Sequence, residues 1–300
     1  MRQLARIILI SAGLLWGMSF VGNKYVLDSG WTDVQLLFVR FVSAYLFVTI
    51  FFFKRVIRAS RTVIKEGLFL GVFLFFGFFF QTWGLETTTA SNNALITAGY
   101  IIILPLLVRV FDKIKVPRLT VLAAFITLAG VSIISVNFAA LTVGIGDILT
   151  FIGAVFWAVH IYFLGHLSKK HDLFVLLSYQ LLTFSLFVSL MLVVTDGLPD
   201  VTRGFDDRFN LWVVALALGF TSSFLAFLMQ AFGQKHTNAA EAAILISTES
   251  VFGPIFAILI YGEPFGWKLL IGMILVFGGI VLSEMGGNLF KRRKRVLPVE

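Results

Sequence analysis

The feature that most restricts this chain is a succession of apolar runs, most of them about 18 residues or longer. Coiled as a helix, a run of that length matches the hydrocarbon thickness of a bilayer. The runs fall near 7–27, 33–53, 66–86, 92–111, 118–138, 146–165, 172–194, 211–232, 238–260 and 266–286. They are continuously apolar rather than alternating, which selects helices over a β-barrel. Charge agrees. Only 13% of the 300 residues are charged, against roughly 25% in a soluble domain. The expected fold is an all-α integral membrane protein with about ten transmembrane helices. Arg2 and Arg6 precede the first run as they would in a secretory signal. That run continues past Trp16, Asn23 and Lys24 without a small-residue cleavage site, so a retained first helix is expected. Connections are mostly short. The longest, near 196–210, carries Asp196, Pro199, Asp200, Asp206 and Asp207 and reads as a solvated loop.

The positions of Lys and Arg predict orientation. With the N-terminus in the cytoplasm, 19 of the 24 basic residues fall in inside loops or termini and 4 outside, with Arg40 within a helix. Both termini are therefore expected in the cytoplasm of a bacterial-type plasma membrane. The net charge of +8 sits in short clusters between apolar runs, so nucleic acid is not an expected partner. The Lys291–Arg295 cluster reads as a topology anchor before an anionic-lipid contact. Cysteine is absent, which excludes disulfides, thiol chemistry and thiolate metal sites. No metalloprotease, nucleophile-elbow or phosphate-loop pattern occurs, so no catalysis, cofactor, metal or ATP coupling is expected. Nor does any segment read as a selectivity filter.

The chain also repeats itself. At an offset of 149, Gln81, Gly84, Thr88, Ala90, Ala94 and Pro105 fall on Gln230, Gly233, Thr237, Ala239, Ala243 and Pro254, six identities in 25 positions. Gly130 falls on Gly279 at the same offset. A weaker match at 140 lays Gly13 on Gly153 and the Leu36–Val48 region on Leu176–Val188. Expected units are 1–140, 141–288 and a basic tail, 289–300. Five helices per half is an odd number, so the second half enters the membrane in the opposite sense. Such an inverted-topology repeat is a recurrent architecture of secondary transporters.

On these residues the chain resembles the EamA family of the drug/metabolite transporter superfamily. Gly13–Phe20, with Trp16, is similar to that family's opening helix, and Leu37–Phe41, around Arg40, to its second-helix arginine. Thr88–Pro105, Gly146-Asp147, Glu249–Pro264 and Gly272–Gly279 also match in order and spacing. Gln180 stands where the first half has Arg40, so any role of that arginine is not duplicated. The resemblance implies a ten-helix transporter of small organic metabolites, often outward.

Polar groups inside the hydrocarbon layer are costly and thus candidate functional residues. Glu249 lies near the middle of the ninth run and reads as a proton site, a partner for a cationic substrate group, or a helix-to-helix tie. Tyr100 is its repeat mate. Asn93, Thr97 and Tyr100 form one stripe, Trp16, Ser19 and Asn23 a second, Trp157 and His160 a third. These are candidate substrate-binding walls at the repeat interface, and the aromatics suit an amphipathic solute. His160 is a second proton-relay candidate. Gln81 and Gln230 read as substrate or interhelix hydrogen-bonding groups. Arg40 reads as a partner for an acid, a contact for an anionic substrate or a snorkelling side chain, with a structural pairing first. Glu241 and Asn92 read as helix caps. Gly13-x-x-x-Gly17 and Gly67-x-x-x-Gly71 permit close packing within one chain or between two, leaving monomer and homodimer open.

The function expected is alternating-access transport of an amino acid or similar small metabolite, as export, with protons as a candidate coupling ion. The rival is a lipid flippase-like or lipid-modifying membrane protein. A crevice open sideways to lipid favours the rival, and a closed aromatic pocket favours the small solute.

Overall fold

The computed structural model describes residues 1–113, 118–137, 142–195, 211–237 and 239–296. The expected 196–210 loop, Lys115 and the last four residues lie outside them. The first half contains α1 (Arg2–Asp28), α2 (Asp33–Val56), α3 (Arg61–Thr87), α4 (Ala90–Thr97), α5 (Tyr100–Phe111) and α6 (Arg118–Ser135). The second contains α7 (Ile145–Leu167), α8 (Leu173–Val194), α9 (Leu211–Leu218), a π-helical turn (Gly219–Leu225) and α10 (Ala226–His236). It continues through α11 (Ala239–Ile246), α12 (Glu249–Tyr261) and α13 (Trp267–Val296). Among the described residues, eight helical segments are long and apolar enough to span a bilayer, and α6 and α13 carry the shorter apolar stretches Val121–Gly130 and Trp267–Leu282. Together they make the ten spans. A two-residue antiparallel pairing, Val136–Asn137 with Thr142–Val143, joins the halves.

The sequence repeat is matched element by element. α3 ends at Thr87 and α10 at His236; α4 begins at Ala90 and α11 at Ala239. α5 begins at Tyr100 and α12 at Glu249; α6 begins at Arg118 and α13 at Trp267. Each pair is 149 residues apart. Thr88 and Thr237 stop their helices with nearly the same extended backbone, φ −123° and −125°.

The fourth and ninth runs, expected as continuous helices over 92–111 and 238–260, are each broken in two. Pro105 and Pro254 lack the N–H that would bond the carbonyl four residues back, which weakens both helices in this region. Just upstream the backbone tightens to i→i+3 bonds. Ile101 and Ile102 N–H donate to the Ala98 and Gly99 carbonyls at 3.1 and 3.0 Å. Ser250 and Val251 N–H donate to Ser247 and Thr248 at 2.9 and 3.0 Å. In the second half three hydroxyls help satisfy carbonyls: Ser247 on Ile244 (2.6 Å), Thr248 on Leu245 (2.8 Å) and Ser250 on Ser247 (2.7 Å). In hydrocarbon such satisfaction is obligatory, because water is not there to supply it.

The halves interlock. α1 packs on α10, α11 and α12 of the second half, while α7 packs on α3, α4 and α5 of the first. α2 pairs with α8, and α6 with α13. Small residues permit these approaches. A Cβ on Gly84 would lie 2.5 Å from both the Gly146 carbonyl and the Thr150 hydroxyl. A Cβ on Gly17 would lie 2.7 Å from the Phe252 Cβ and 3.0 Å from the Gly253 nitrogen. Gly13 likewise faces Thr248 and Ile246, and Gly67 and Gly71 face α8, so both Gly-x-x-x-Gly pairs serve contacts within the chain. Outward faces are apolar: Phe51 and Leu259 are 71% and 76% exposed, tolerable in lipid rather than water.

Capping departs from expectation at two sites. Thr89, not Asn92, caps α4, its hydroxyl accepting the Asn92 N–H at 3.0 Å. The Glu241 carboxylate accepts from Arg2 Nη2 and Arg6 Nε, both at 2.7 Å, and so ties α11 to α1. An acidic residue in the first turn still suits the helix dipole, but the long side chain reaches two cations.

Candidate functional site: a closed cavity between the repeats

Interlocking brings eight helical elements around one internal cavity. Trp16, Ser19 and Phe20 come from α1, Phe78 and Gln81 from α3, and Trp157 and Ile161 from α7. Gln230 comes from α10. Thr97, Tyr100, Ile246 and Glu249 come from the edges of the two helix breaks. The pairs Gln81 and Gln230, Thr97 and Ile246, and Tyr100 and Glu249 are 149 residues apart, so the repeat symmetry converges here. The cavity volume is only about 20 Å³, well below the roughly 300–1,000 Å³ of small-molecule sites. It is narrow, with room for about one water-sized body. A metabolite enters only if the walls part.

Eight of the eleven expected site residues line this cavity: Trp16, Ser19, Gln81, Thr97, Tyr100, Trp157, Gln230 and Glu249. Three are placed elsewhere. Asn23 accepts from Arg40 Nη1 at 2.7 Å. Asn93 donates to the Gln81 carbonyl (3.0 Å) and the Thr150 hydroxyl (2.7 Å), tying α4 to α3 and α7. His160 is fully buried, with Nε2 2.9 Å from Gln180 Oε1 and its ring edge-on to Trp157 and Phe227. The lining residues Phe20, Phe78, Ile161 and Ile246 carried no sequence signal, because apolar residues are everywhere in such a chain.

The aromatic wall is continuous. Trp16 lies 6.3 Å from Trp157 and 5.1 Å edge-on to Phe227, and Trp157 stacks on Phe227 at 5.8 Å. Phe78 meets Trp157 edge-on at 4.7 Å. The Trp16 indole N–H donates to the Ser222 carbonyl at 2.9 Å, which fixes its ring. The Trp157 indole N–H has no partner among the described residues.

Symmetric positions carry unlike chemistry. Gln81 Nε2 donates to the Thr97 hydroxyl at 2.8 Å. Gln230, fully buried, has neither its amide nitrogen nor its amide oxygen partnered among the described residues. Two buried polar atoms without partners cost stability and offer a donor and an acceptor to a ligand. Gln230→Leu is therefore expected to leave the melting temperature unchanged or raised while weakening ligand binding about tenfold, since 1.4 kcal/mol is a factor of ten. Gln81→Leu is expected to lower the melting temperature. Thermal unfolding of both variants, with and without ligand, checks the contrast. A lowered melting temperature in both would show that Gln230 is a structural tie.

Glu249 is 4% exposed and opens α12 directly after the break. The Tyr100 hydroxyl lies beside its carboxyl group and reaches the Ala243 carbonyl at 3.5 Å, the outer limit of a hydrogen bond. No cation among the described residues forms an ion pair with Glu249.

Arg40 departs from the expected pairing with an acid. Its guanidinium is fully buried and held by neutral oxygens. Nη1 donates to Asn23 Oδ1 at 2.7 Å, and Nη2 to the Ser222 and Ser223 hydroxyls at 2.8 and 3.1 Å. The Phe41 and Phe78 rings lie 5.5 and 5.2 Å from its carbon centre. Both serines belong to the π-helical turn.

Polar contacts shut both ends. At the end bearing the chain termini, Arg2 and Arg6 clamp Glu241. At the other, Glu263 accepts from the Ala90 and Ser91 N–H groups (2.7 and 3.2 Å), and the Thr88 hydroxyl donates to Asp147 (2.6 Å). Tyr261 donates to Asp28, which also pairs with Lys24 at 3.1 Å.

Ten helices in two inverted repeats, enclosing a polar and aromatic cavity at their interface, define a membrane protein of the transporter class. The family model of the EamA-like transporter family matches residues 3–136 and again 144–285, once per repeat, and the chain belongs to that family. It is similar to an uncharacterized transporter of Archaeoglobus fulgidus, 27% identical over 290 residues, covering 95% of this chain and 87% of the relative. A crystal structure superposes with a TM-score of 0.71 at 18% identity, over 96% of this chain and 99% of that one, a likeness of fold.

Proposed function

We propose that this membrane transporter moves a small organic metabolite of about amino-acid size, outward across the plasma membrane, by alternating access. The observation that supports this most is the cavity itself. Its lining residues are buried and rich in aromatic rings, and they include a carboxyl group and, among the described residues, an unpartnered indole N–H and an unpartnered amide. A lipid-carrying protein needs a crevice open to the bilayer. In this reading the Arg2–Arg6–Glu241 clamp and the Glu263–Thr88–Asp147 contacts open in turn. The interlocked helices rearrange about the site, and the helix breaks at Ala98-Gly99 and Ser247-Thr248 supply the bending points. Glu249 holds either a proton or the substrate's cationic group, and the 19-to-4 basic bias supports both termini in the cytoplasm.

The test is thermal unfolding of the purified protein against a panel of amino acids and related metabolites, followed by flux of each hit in proteoliposomes. A ligand of the folded state raises the melting temperature by mass action. A hit that also crosses the membrane supports the reading. No hit, together with scrambling of labelled lipid by the same vesicles, would overturn it in favour of the flippase.

A further inference from the structure

A second concavity lies far from the central one, at the end of the molecule that carries the chain termini. It forms where α2 runs into α3 and α7 into α8, an open hollow of about 310 Å³. Arg55, Arg58, Ser60, Lys170, His171 and Asp172 line it, over apolar Val63 and Val175. Its two neighbouring carboxylates are already engaged. Asp172 takes Arg55 Nη1 at 3.1 Å and the Phe174 and Val175 N–H groups at 2.9 and 3.2 Å, while Glu66 pairs with His171. Arg58 and Lys170 have no anion among the described residues.

The backbone adds to this positive field. Ser60 stands at the N-cap of the 27-residue α3 without making a side-chain cap bond. The first helical bond is Ile64 N–H to the Ser60 carbonyl, at 3.2 Å. The N–H groups of Arg61, Thr62 and Val63 therefore lack an intrahelical acceptor beside the cavity. Two unpaired cations, a free hydroxyl and a helix N-terminus around one hollow are the chemistry of a phosphate site. Positive-inside bias accounts for the number of basic residues here, but not for their arrangement about an uncapped helix.

The surroundings favour a phosphate attached to lipid. Phe53 and Ile57, in the turns beside Arg55 and Arg58, are 55% and 60% exposed. Apolar surface thus runs directly up to the basic hollow, as acyl chains run up to a headgroup. We propose that this cavity binds the phosphodiester headgroup of an anionic phospholipid at the membrane surface, locking the α2–α3 turn to the α7–α8 turn. The site is independent of the transport reading.

The experiment is thermal unfolding of the full chain in phosphatidylcholine mixed micelles, titrated with phosphatidylglycerol or with inorganic phosphate. Three proteins are compared: wild type, Arg58→Gln/Lys170→Gln, and Arg109→Gln/Lys113→Gln, which loses equal charge outside the cavity. Phosphatidylglycerol is expected to raise the wild-type melting temperature by several degrees. The gain should fall by more than half in the cavity variant and persist in the control. Inorganic phosphate alone should do little. Similar melting of all three in pure phosphatidylcholine shows that each is folded. A cavity variant that misfolds there is replaced by Lys170→Gln alone, for which a reduced gain is still expected. Equal loss of the gain in both double variants would reduce the effect to general surface charge and overturn the proposal. An equal gain from inorganic phosphate would overturn it in favour of a soluble anion. So would no gain from phosphatidylglycerol.

Discussion

Glu249→Gln protein is expected to fold normally and to lose at least about tenfold in substrate flux, the equivalent of 1.4 kcal/mol of interaction. The change preserves size and the neighbourhood of Tyr100 while removing the one acidic group that lines the central cavity among the described residues. Glu249 is also the first residue of α12 after the break, where the helix dipole favours a negative charge. No cation among the described residues pairs with it, so on the proposed reading its counter-charge arrives with the substrate or as a proton. The measurement is flux into proteoliposomes with and without an imposed pH gradient. Wild type should respond to the gradient if Glu249 carries the coupling proton, and the variant should not. If the variant still shows the ligand-induced rise in melting temperature, its role is coupling; if that rise is lost, its role is recognition. Wild-type flux and an unchanged gradient response in the variant would remove Glu249 from the mechanism.

Arg40 carries the second large expectation, on stability. Two effects oppose each other. A buried guanidinium without a counter-ion costs several kcal/mol of desolvation. Against that stand charge-assisted bonds to Asn23, Ser222 and Ser223, each worth about 1.5–3 kcal/mol, and two aromatic faces. Arg40→Ala would take the donor from three buried oxygens, leaving those of Asn23 and Ser223 without another partner among the described residues, and open a cavity among α1, α2 and the π-helical turn. A net loss of about 3 kcal/mol is expected, or roughly 6–12 °C in melting temperature for a chain of this size. Arg40→Met fills the space but supplies no donors, so about half that loss is expected. Arg40→Lys keeps the charge but not the planar fork that reaches Asn23 and both serines. A methionine variant that melts above wild type would mean that desolvation outweighs the bonds.

The residues that were legible and those that were not differ for a physical reason. Trp16, Tyr100 and Glu249 stood out because polar or amphipathic groups are rare and costly in an apolar segment. Phe78 and Ile161 line the same cavity, yet nothing separates them from the other apolar residues along the chain. Asn93 and His160 carried the same polar signal as Glu249, but their partners, Thr150 and Gln180, lie far away in sequence. A periodicity that places a residue on a face does not say what the face meets. The helix breaks were missed because local hydrophobicity is continuous through them. Two prolines and a few hydroxyls made the interruption affordable, and i→i+3 bonding completed it.

By itself the amino-acid sequence determined the solvent, the number of spans and the duplication, because each follows from properties that add up along the chain: run length, apolar content and self-similarity at a fixed offset. The family followed from the order and spacing of its motifs. Only the tertiary structure decided that α1 and α7 each pack into the other half, that the fourth and ninth runs break where they meet the cavity, and that Gln81 is satisfied while Gln230 is not. Those outcomes depend on which distant groups come within hydrogen-bonding reach, and that is fixed by the packing of whole helices rather than by any one of them.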